Sequence, residues 1–504
     1  MTESLRLLET VVRGGYCIGC GACAAVARSP LHIITDDLGR YQAALKAKAT
    51  ATTMSCNVLS VCPFSDEGPN EDEIGERLFG RHCSRSHSIG YYLATYAGYV
   101  ADQELRRNSS SGGIVTSVLT ELFERGLVDG VIHVRKTGQS AASGPLFAMT
   151  VSRSRSDIIH GAKSRYYPVE LSQVLREVKC TPGRYALVGL PCFVKAVRLM
   201  CQVDDELAQR IRFCIGIFCG HLKTSHYANM LGWQYGILPG DLTDIEFRRK
   251  IAGTPPNKYR LKLAGAVDSG ALCDGVEDQY SDSVWPGGFF KYPACDYCDD
   301  IAGETADMSC GDAWLSQYLQ DCNGTSIMII RSQELHGIVR EAQFAGRLLL
   351  KGVSPADVAR SQDGCFRHRR PGLAYRLFLK DQKALWRPKK RVSADAQILD
   401  SRARHIQDLR LKISALSHTA FQEALSAGQF AVFEQRMSAA LAEYVRAYRP
   451  PLWRIDLLGL RLAGGCRRRV SRWLLHILHR AARVCHPNEA KTPRAGDPRA
   501  TSSK

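Results

Sequence analysis

Apolar and polar positions alternate in blocks through the middle of the chain. Residues 96–100 form a short apolar run, and a polar, glycine-ended turn follows at 108–113. Residues 114–125 carry apolar side chains at helical spacing, whereas 128–134 is a second apolar run of strand length. This order predicts a βαβ unit with a small-residue loop at the start of its helix. Such a loop presents backbone N–H groups to an anion, although serine–glycine runs are also ordinary turns and caps.

More strand-like segments follow, and two of them end in a cysteine-bearing loop. Residues 185–189 predict a buried strand that leads through a short turn to Cys192 and a helix. Residues 211–218 predict a strand that leads into Cys219, and 326–331 predict another strand. Strands that alternate with helices predict an α/β sheet, in which the chemistry lies at the carboxyl ends of the strands.

The two flanks differ from this middle part. The first 90 residues are loop-rich, and we expect them to fold around a metal, with one short helix over 71–79. After about residue 370 the pattern becomes helical and basic. The basic run at 387–391 predicts a solvated linker.

Composition narrows the class of protein. The chain has 504 residues and 45% hydrophobic content, enough for a sizeable core. Its 19 cysteines are odd in number and cluster in C-x-x-C units, which argues against a secreted disulfide scaffold. Thiolate ligands need reducing conditions, so the sequence predicts a cytoplasmic protein. No signal peptide and no membrane-spanning stretch are predicted.

The net charge of +17 lies largely in the C-terminal tail. Residues 451–504 hold twelve Lys and Arg against three acidic residues. No helix-turn-helix, zinc-finger or aromatic RNA-binding pattern accompanies this charge, so we expect no nucleic-acid partner. Apolar residues at 470–478 follow helical spacing beside arginines. Such a helix suits an anionic membrane surface or a partner subunit, and it equally suits a helix packed on its own core.

The first candidate metal site is a cysteine triplet. Cys17, Cys20 and Cys23 follow C-x-x-C-x-x-C spacing, and Cys62 precedes a proline far downstream. A triplet with one distant Cys-Pro is typical of the ligands of a 4Fe–4S cluster. Zinc accepts four thiolates as well, but structural zinc sites usually use two separated C-x-x-C pairs. Unligated thiols are the third interpretation.

A second set of cysteines is less clustered in sequence. Cys192 and Cys219 end predicted strands, whereas Cys295 and Cys298 form a C-x-x-C pair. One pocket above the sheet would gather all four as ligands of a second cluster. Alternatively, Cys192 and Cys219 are core thiols. Cys310, close to the pair in sequence, is a rival ligand.

Together these residues resemble the beta subunit of coenzyme F420 (8-hydroxy-5-deazaflavin) hydrogenase/dehydrogenase, a family related to 7-hydroxymethyl chlorophyll a reductase. The resemblance covers roughly residues 14–375. It rests on Cys17–Cys23 (CIGCGAC), Val61–Phe64 (VCPF), Ser109–Gly113 (SSSGG), Gly161–Pro168 (GAKSRYYP), Gly189–Cys192 (GLPC), Cys219–His221 (CGH), Cys295–Asp300 (CDYCDD) and Gly311–Trp314 (GDAW). One departure is that Ala27–Pro30 stands where many members place a Cys-Pro, which leaves Cys62 as the best fourth ligand.

The resemblance implies FAD, one or two 4Fe–4S clusters and a division into three regions. We expect a ferredoxin-like iron–sulfur region over 1–95, a mixed α/β core for flavin and a second cluster over 96–375, and a basic helical extension over 376–504. The expected flavin contacts are Ser109, Ser110, Ser111, Gly112, Gly113, Lys163, Ser164, Arg165, Tyr166 and Asp312.

Two of the matched residues are candidates for catalysis. Lys163 is placed to stabilise the anionic reduced flavin, although most lysines are simply solvated. His221 is a candidate proton donor to substrate, although a structural hydrogen bond is the commoner role of a lone histidine. Asp312 is expected to bond the flavin or its ribose, or to be a turn residue.

We therefore expect an FAD- and iron–sulfur-dependent oxidoreductase that takes electrons from a reduced deazaflavin coenzyme or ferredoxin. One alternative is a non-catalytic electron-transfer or redox-sensing subunit of a larger complex. Another is a zinc-stapled binding module. The sequence leaves the substrate unidentified.

Overall fold

The fold is built around a mixed β-sheet with helices on its faces. The computed structural model describes residues 2–47, 56–267, 272–279 and 287–448. Its strands are β1 (Leu31–Thr35), β2 (Tyr41–Leu45), β3 (Ser84–Ser86), β4 (Gly90–Tyr92), β5 (Ala94–Val100), β6 (Gly130–Lys136), β7 (Phe147–Ser152), β8 (Tyr185–Gly189), β9 (Ile211–Ile217), β10 (Ile237–Arg249), β11 (Arg260–Val267), β12 (Leu272–Gln279), β13 (Met308–Asp312), β14 (Ser326–Ile330) and β15 (Leu348–Gly352).

The helices surround this sheet and extend the C-terminal part. They are α1 (Glu3–Leu7), α2 (Ala22–Ala25), α3 (Glu71–Phe79), α4 (Gln103–Asn108), α5 (Ile114–Glu124), α6 (Arg155–His160), α7 (Ser172–Cys180), α8 (Pro191–Val203), α9 (Asp205–Arg210), α10 (Ser225–Trp233), α11 (Gln333–Phe344), α12 (Pro355–Ser361), α13 (Asp363–Arg369), α14 (Pro371–Gln382), α15 (Ser401–Ala427) and α16 (Phe430–Tyr448). A π-helical turn, Leu8–Val12, continues α1, and 3-10 turns occupy Pro293–Tyr297 and Ser316–Tyr318.

The central sheet has eight strands in the order β15-β5-β14-β13-β9-β8-β6-β7. Strands β13, β9, β8 and β6 are mutually parallel, and β14 lies antiparallel between β13 and β5. Strand β5 therefore points the same way as β13. The carboxyl ends of these five strands meet at one edge, where ligands commonly bind in α/β sheets.

The predicted α/β class is confirmed, with one difference in topology. Strands β5 and β6 are parallel, as a βαβ unit requires, but β14, β13, β9 and β8 lie between them. The unit is thus a long crossover over the sheet and not a pair of neighbouring strands. Strand pairing is set by contacts distant in sequence, which the local pattern does not contain.

A continuous apolar core lies between the sheet and two helices. Helix α5 contributes Ile114, Val118, Leu119 and Leu122, the side chains that the helical spacing places on one face. Helix α11 packs against the same cluster through Leu335 and its neighbours, and all five residues of β14 are buried. The apolar pattern over 114–125 therefore predicted both the helix and the face that it buries.

Smaller sheets flank the central one. Strands β10, β11 and β12 form an antiparallel three-stranded sheet, and the pairs β1–β2 and β3–β4 are hairpins. Helix α3 begins with a capping box in which Asn70 and Glu73 satisfy each other's backbone N–H groups, as its charged sequence favours. Residues up to Ala447 form one compact unit, and the three-region division stays a prediction.

The prediction that 387–391 is a solvated linker is wrong for its last residue. The Arg391 side chain is only 9% exposed and forms ion pairs with Glu71, Asp72, Asp299 and Glu304. The acidic residues of α3 and of the segment after Cys298 create a buried negative pocket, which this arginine neutralises together with Lys195 and Arg370.

Two further points concern contact with a membrane. None of the described helices is long and apolar enough to cross a membrane. The predicted basic amphipathic helix of the tail lies outside the described residues.

Candidate functional site

Four cysteines of the N-terminal region face one another in the fold. We call Cys17, Cys20, Cys23 and Cys62 the first quartet. Besides burial, the charges of Cys17, Cys20 and Cys62 raise the pKa of Cys23, and that of Cys17 also raises the pKa of Cys20 and Cys62, so the distant Cys62 lies beside the triplet. The loop that carries the triplet turns at Gly19, whose φ is +64° and where a Cβ would lie 2.4 Å from the Tyr41 carbonyl oxygen. Only glycine permits that close approach.

Burial decides the protonation of this quartet. It raises the pKa of Cys62 to about 12 and raises the pKa of Cys17, Cys20 and Cys23 as well. Free thiols here are therefore protonated at neutral pH, and a metal that binds them must displace the protons. Cys56, the cysteine nearest to Cys62 in sequence, lies 4.0 Å from the Ser4 hydroxyl instead.

Four more cysteines meet at the carboxyl edge of the central sheet. We call Cys192, Cys219, Cys295 and Cys298 the second quartet. Burial raises the pKa of Cys192 well above its usual range, and the charges of the other three raise it further. The sequence predicted that the two strand-end cysteines would lie beside the C-x-x-C pair, and the structure places the four residues together. Cys310, the rival, is buried in the apolar core on β13.

The two quartets are adjacent to each other. Cys20 of the first quartet is among the groups whose charge acts on Cys192 of the second. Helix α2, which carries Cys23, also contacts α8, which carries Cys192. Whatever binds one quartet therefore lies next to whatever binds the other.

The chemistry of each donor set favours some groups over others. Among the described residues, no three or more His, Cys, Asp or Glu side chains are arranged around a single metal ion. A tetrahedral zinc site needs sulfurs about 3.8 Å apart, given its Zn–S bond length. A 4Fe–4S cluster uses one cysteine per iron and so spaces its ligands farther apart. Four converging thiols fit such a cluster by their chemistry, and the assignment stays a prediction.

The predicted flavin segments also meet at this edge. The Ser110 hydroxyl accepts a hydrogen bond of 2.7 Å from the Ser164 N–H, which joins the serine–glycine loop to the Lys163–Tyr166 segment. The Gly112 N–H donates to the Ser326 hydroxyl at 2.9 Å. The loop therefore packs against β14 at the start of α5, the position at which a helix N-terminus binds anions.

Two cations of the Lys163–Tyr166 segment differ in their surroundings. The Lys163 ammonium lies 2.7 Å from a Glu246 carboxylate oxygen, so its charge is already paired. Arg165 stacks over Phe147, and its buried Nε and Nη1 atoms have no hydrogen-bond partner among the described residues. Buried donors without partners are rare in proteins. An anionic ligand group would satisfy them.

Sequence reasoning missed two cations at the carboxyl end of β10. Arg248 forms an ion pair of 2.8 Å with Asp312, and Lys250 donates to the Ser111 carbonyl oxygen at 2.7 Å. Burial and then the nearby Lys163 lower the pKa of Lys250 to about 7. The basic run at residues 248–250, at the end of an alternating strand, is the sequence signal that could have indicated them.

Tyr166 connects this pocket to the second quartet. Its pKa is raised by burial, and the groups whose charges act on it include Arg248, Asp312 and Cys219. The predicted flavin residues and the second quartet are thus neighbours at one edge of the sheet.

His221 lies beneath the second quartet. It is buried, and burial together with the positive charges of Lys223, Lys291 and Arg410 lowers its pKa well below the usual range. The ring is therefore held neutral by its surroundings. Its role as a proton donor stays a prediction.

One protein family matches this chain in two parts. The family is described as the beta subunit of coenzyme F420 hydrogenase/dehydrogenase. Its N-terminal part matches residues 95–176, and its C-terminal part matches residues 183–356. Together these parts cover about half of the chain, including the flavin segments and the second quartet.

The individual relatives have low sequence identity to this chain, but the matches extend over much of its length. An uncharacterized protein of Methanocaldococcus jannaschii is 26% identical over 382 residues, which are 69% of this chain and 92% of that protein. A named subunit of the F(420)H(2) dehydrogenase of Methanosarcina mazei is 22% identical over 62% of this chain and 81% of its own length. The coenzyme F420-dependent sulfite reductase of Methanocaldococcus jannaschii is 25% identical over 65% of this chain, which spans 46% of that protein.

None of these matches bears on the relation to 7-hydroxymethyl chlorophyll a reductase, which stays a prediction. The matched regions contain six of the eight predicted motifs, from Ser109–Gly113 to Gly311–Trp314, whereas the first quartet lies outside them. This chain belongs to the family of oxidoreductases formed by the beta subunits of coenzyme F420 hydrogenase/dehydrogenase.

Proposed function

We propose that the chain is an iron–sulfur flavoprotein that passes electrons between a reduced donor, FAD and two 4Fe–4S clusters. The observation that carries this proposal is the adjacency of three predicted redox sites. Cys20 of the first quartet neighbours Cys192 of the second, and Cys219 of the second neighbours Tyr166 of the flavin segment. A continuous series of sites supports electron transfer through one protein.

The residues present suit each group. The two quartets offer one thiolate per iron of two clusters. Bound FAD would supply the exchange between two-electron and one-electron chemistry. The start of α5, the buried Arg165 donors and the Lys250 ammonium offer positive charge and hydrogen bonds to its pyrophosphate. Ion pairs to Glu246 and Arg248 fix the orientation of Lys163 and Asp312.

The donor is proposed from the named relatives. Several of them carry coenzyme F420 in their names, which favours the reduced deazaflavin over ferredoxin. The test is to mix anaerobic protein with each reduced donor and to follow the flavin absorbance. Bleaching by reduced ferredoxin and not by the reduced deazaflavin would reverse this choice.

The electron-transfer alternative has one observation in its favour. The relative from Methanosarcina mazei is named as a subunit, which suggests that this chain also works beside a partner subunit. Donor-dependent turnover of a substrate by the purified chain alone would identify an enzyme. Flavin reduction without turnover until a partner protein is added would identify an electron-transfer subunit.

Cofactor content tests the proposal most directly. Anaerobically prepared protein should contain about eight irons, by the count of one cysteine per iron, and FAD should be released on denaturation. About four irons would leave one cluster. Protein with bound zinc and no flavin would contradict the proposal and support the zinc-stapled module.

A further inference from the structure

Arg369, the last residue of α13, lies against the second quartet. Its Nη1 atom is 3.0 Å from the Cys298 sulfur and 2.9 Å from the Asp300 carbonyl oxygen. Its Nη2 atom is 2.5 Å from the Gly220 carbonyl oxygen and 3.9 Å from the Cys219 sulfur. One guanidinium thus donates to two of the four predicted ligands, and the residue is 4% exposed.

The charge of this guanidinium is not balanced by any carboxylate of the described residues. Within the described part of the chain, Arg369 forms no ion pair with an acidic side chain, although Asp300 contributes a carbonyl oxygen. A buried charge is costly unless an opposite charge accompanies it. Of its four hydrogen-bond partners, only the sulfurs of Cys219 and Cys298 can carry negative charge. The geometry therefore favours thiolates there, as metal ligation provides.

The first quartet has no equivalent of this contact. Among the described residues, no arginine or lysine side chain hydrogen-bonds to a sulfur of Cys17, Cys20, Cys23 or Cys62, and the Cys17 sulfur accepts the Gly19 N–H at 3.4 Å. Arg369 also lies beyond residues 183–356, the part that matches the family. The contact is thus specific to one of the two quartets and is supplied by α13, after the matched segment.

We propose that Arg369 is a positioning residue that orients Cys219 and Cys298 as ligands and raises the reduction potential of the cluster held by the second quartet. This rests on the proposed function, because it assumes that the cluster forms. An added electron increases the negative charge on the cluster and its sulfurs. A fixed positive charge and N–H···S hydrogen bonds therefore stabilise the reduced state more than the oxidised state.

The test is an EPR-monitored redox titration of anaerobic full-length protein. R369Q should shift the midpoint of one cluster to more negative potential and leave the other unchanged. A tenfold change in the oxidised-to-reduced ratio corresponds to about 59 mV for one electron. R369K should shift it less, because an ammonium keeps the charge but lacks the two-pronged donor geometry.

R367Q is the matched control. Arg367 lies on the same helix and pairs with Asp363 at 3.3 Å, but its side chain is 62% exposed. This variant should leave both midpoints where the wild type has them.

The outcomes separate the two proposals. Wild-type protein with about four irons contradicts the second cluster itself. Full iron content with unmoved midpoints in R369Q and R369K overturns the role of Arg369 alone. If R369Q loses the iron of one cluster, its midpoint cannot be measured and R369K provides the test. An unshifted midpoint in R369K then also overturns the proposed role of Arg369.

Discussion

At the scale of single residues, each quartet consists of the thiols that lie next to one another in the fold. Cys62 joins the triplet although a long stretch of chain separates them, whereas Cys56 turns toward Ser4. The Cys-Pro dipeptide carried enough information to select Cys62 from the sequence. Arg369 was not predictable in this way, because a lone basic residue has no pattern that tells a buried contact from a solvated side chain.

We expect Cys62→Ser to remove about four irons, since each iron of a cluster needs its cysteine ligand. Iron and sulfide analysis of anaerobic protein measures this loss. Cys56→Ser is the control and should retain full iron content. The reverse pattern, with loss only in Cys56→Ser, would assign Cys56 as the fourth ligand.

FAD affinity should depend on pH through Lys250. Its pKa is lowered to about 7 by burial and by nearby cations, so the side chain is charged below pH 7 and largely neutral above it. A pyrophosphate that binds the charged form about tenfold more tightly then has a dissociation constant that rises above pH 7 by up to about tenfold in total. Fluorescence titration of flavin-free protein from pH 6 to 9 measures this slope.

The variant Lys250→Met removes the titrating group. We expect it to bind FAD about tenfold more weakly at pH 6, as expected for a lost charge-assisted hydrogen bond, and to lose the slope. Lys351→Met, at an exposed position on β15, is the control. A slope that persists in Lys250→Met would assign the pH dependence to another group.

At the scale of elements, local hydrophobic and capping patterns predicted the bounds of single strands and helices. Strand 185–189 and helix 71–79 have the predicted bounds, because burial and capping act within a few residues. The separation of β5 from β6 and the burial of Arg391 depend on partners far away in the chain. Those features had no local signal.

The segment after α14 should act as a strap that stabilises the N-terminal region. We expect Arg391→Met to lower the free energy of unfolding by about 3–5 kcal/mol, because it removes the ion-pair partner of the buried Asp299 and one of the two partners of the buried Glu71 and Glu304. Arg387→Met is the control and should cost about 0–1 kcal/mol, since its partner Asp381 is 44% exposed. Anaerobic urea denaturation measures both. Equal losses of unfolding free energy in the two variants would show that the buried ion pairs of Arg391 contribute no more than the exposed ion pair of Arg387.

At the scale of the whole molecule, the basic tail is one of the parts that lie outside the family match. We expect removal of residues 451–504 to leave iron and FAD content unchanged and to abolish co-sedimentation with anionic lipid vesicles, because its positive charge favours such surfaces. Neutral vesicles are the control. Full-length protein that stays in the supernatant at low salt would exclude membrane binding and leave a partner protein or a packed helix.

The order of the cysteines along the chain has a consequence for biosynthesis. The first quartet is complete once Cys62 has been made, whereas the second needs Cys298 and then Arg369 from the region after it. On the proposed function, the first cluster would therefore be inserted long before the second during synthesis on the ribosome. The second insertion closes a much longer loop and so depends more on the sheet having already formed. Iron limitation during translation should accordingly yield chains that carry the first cluster alone.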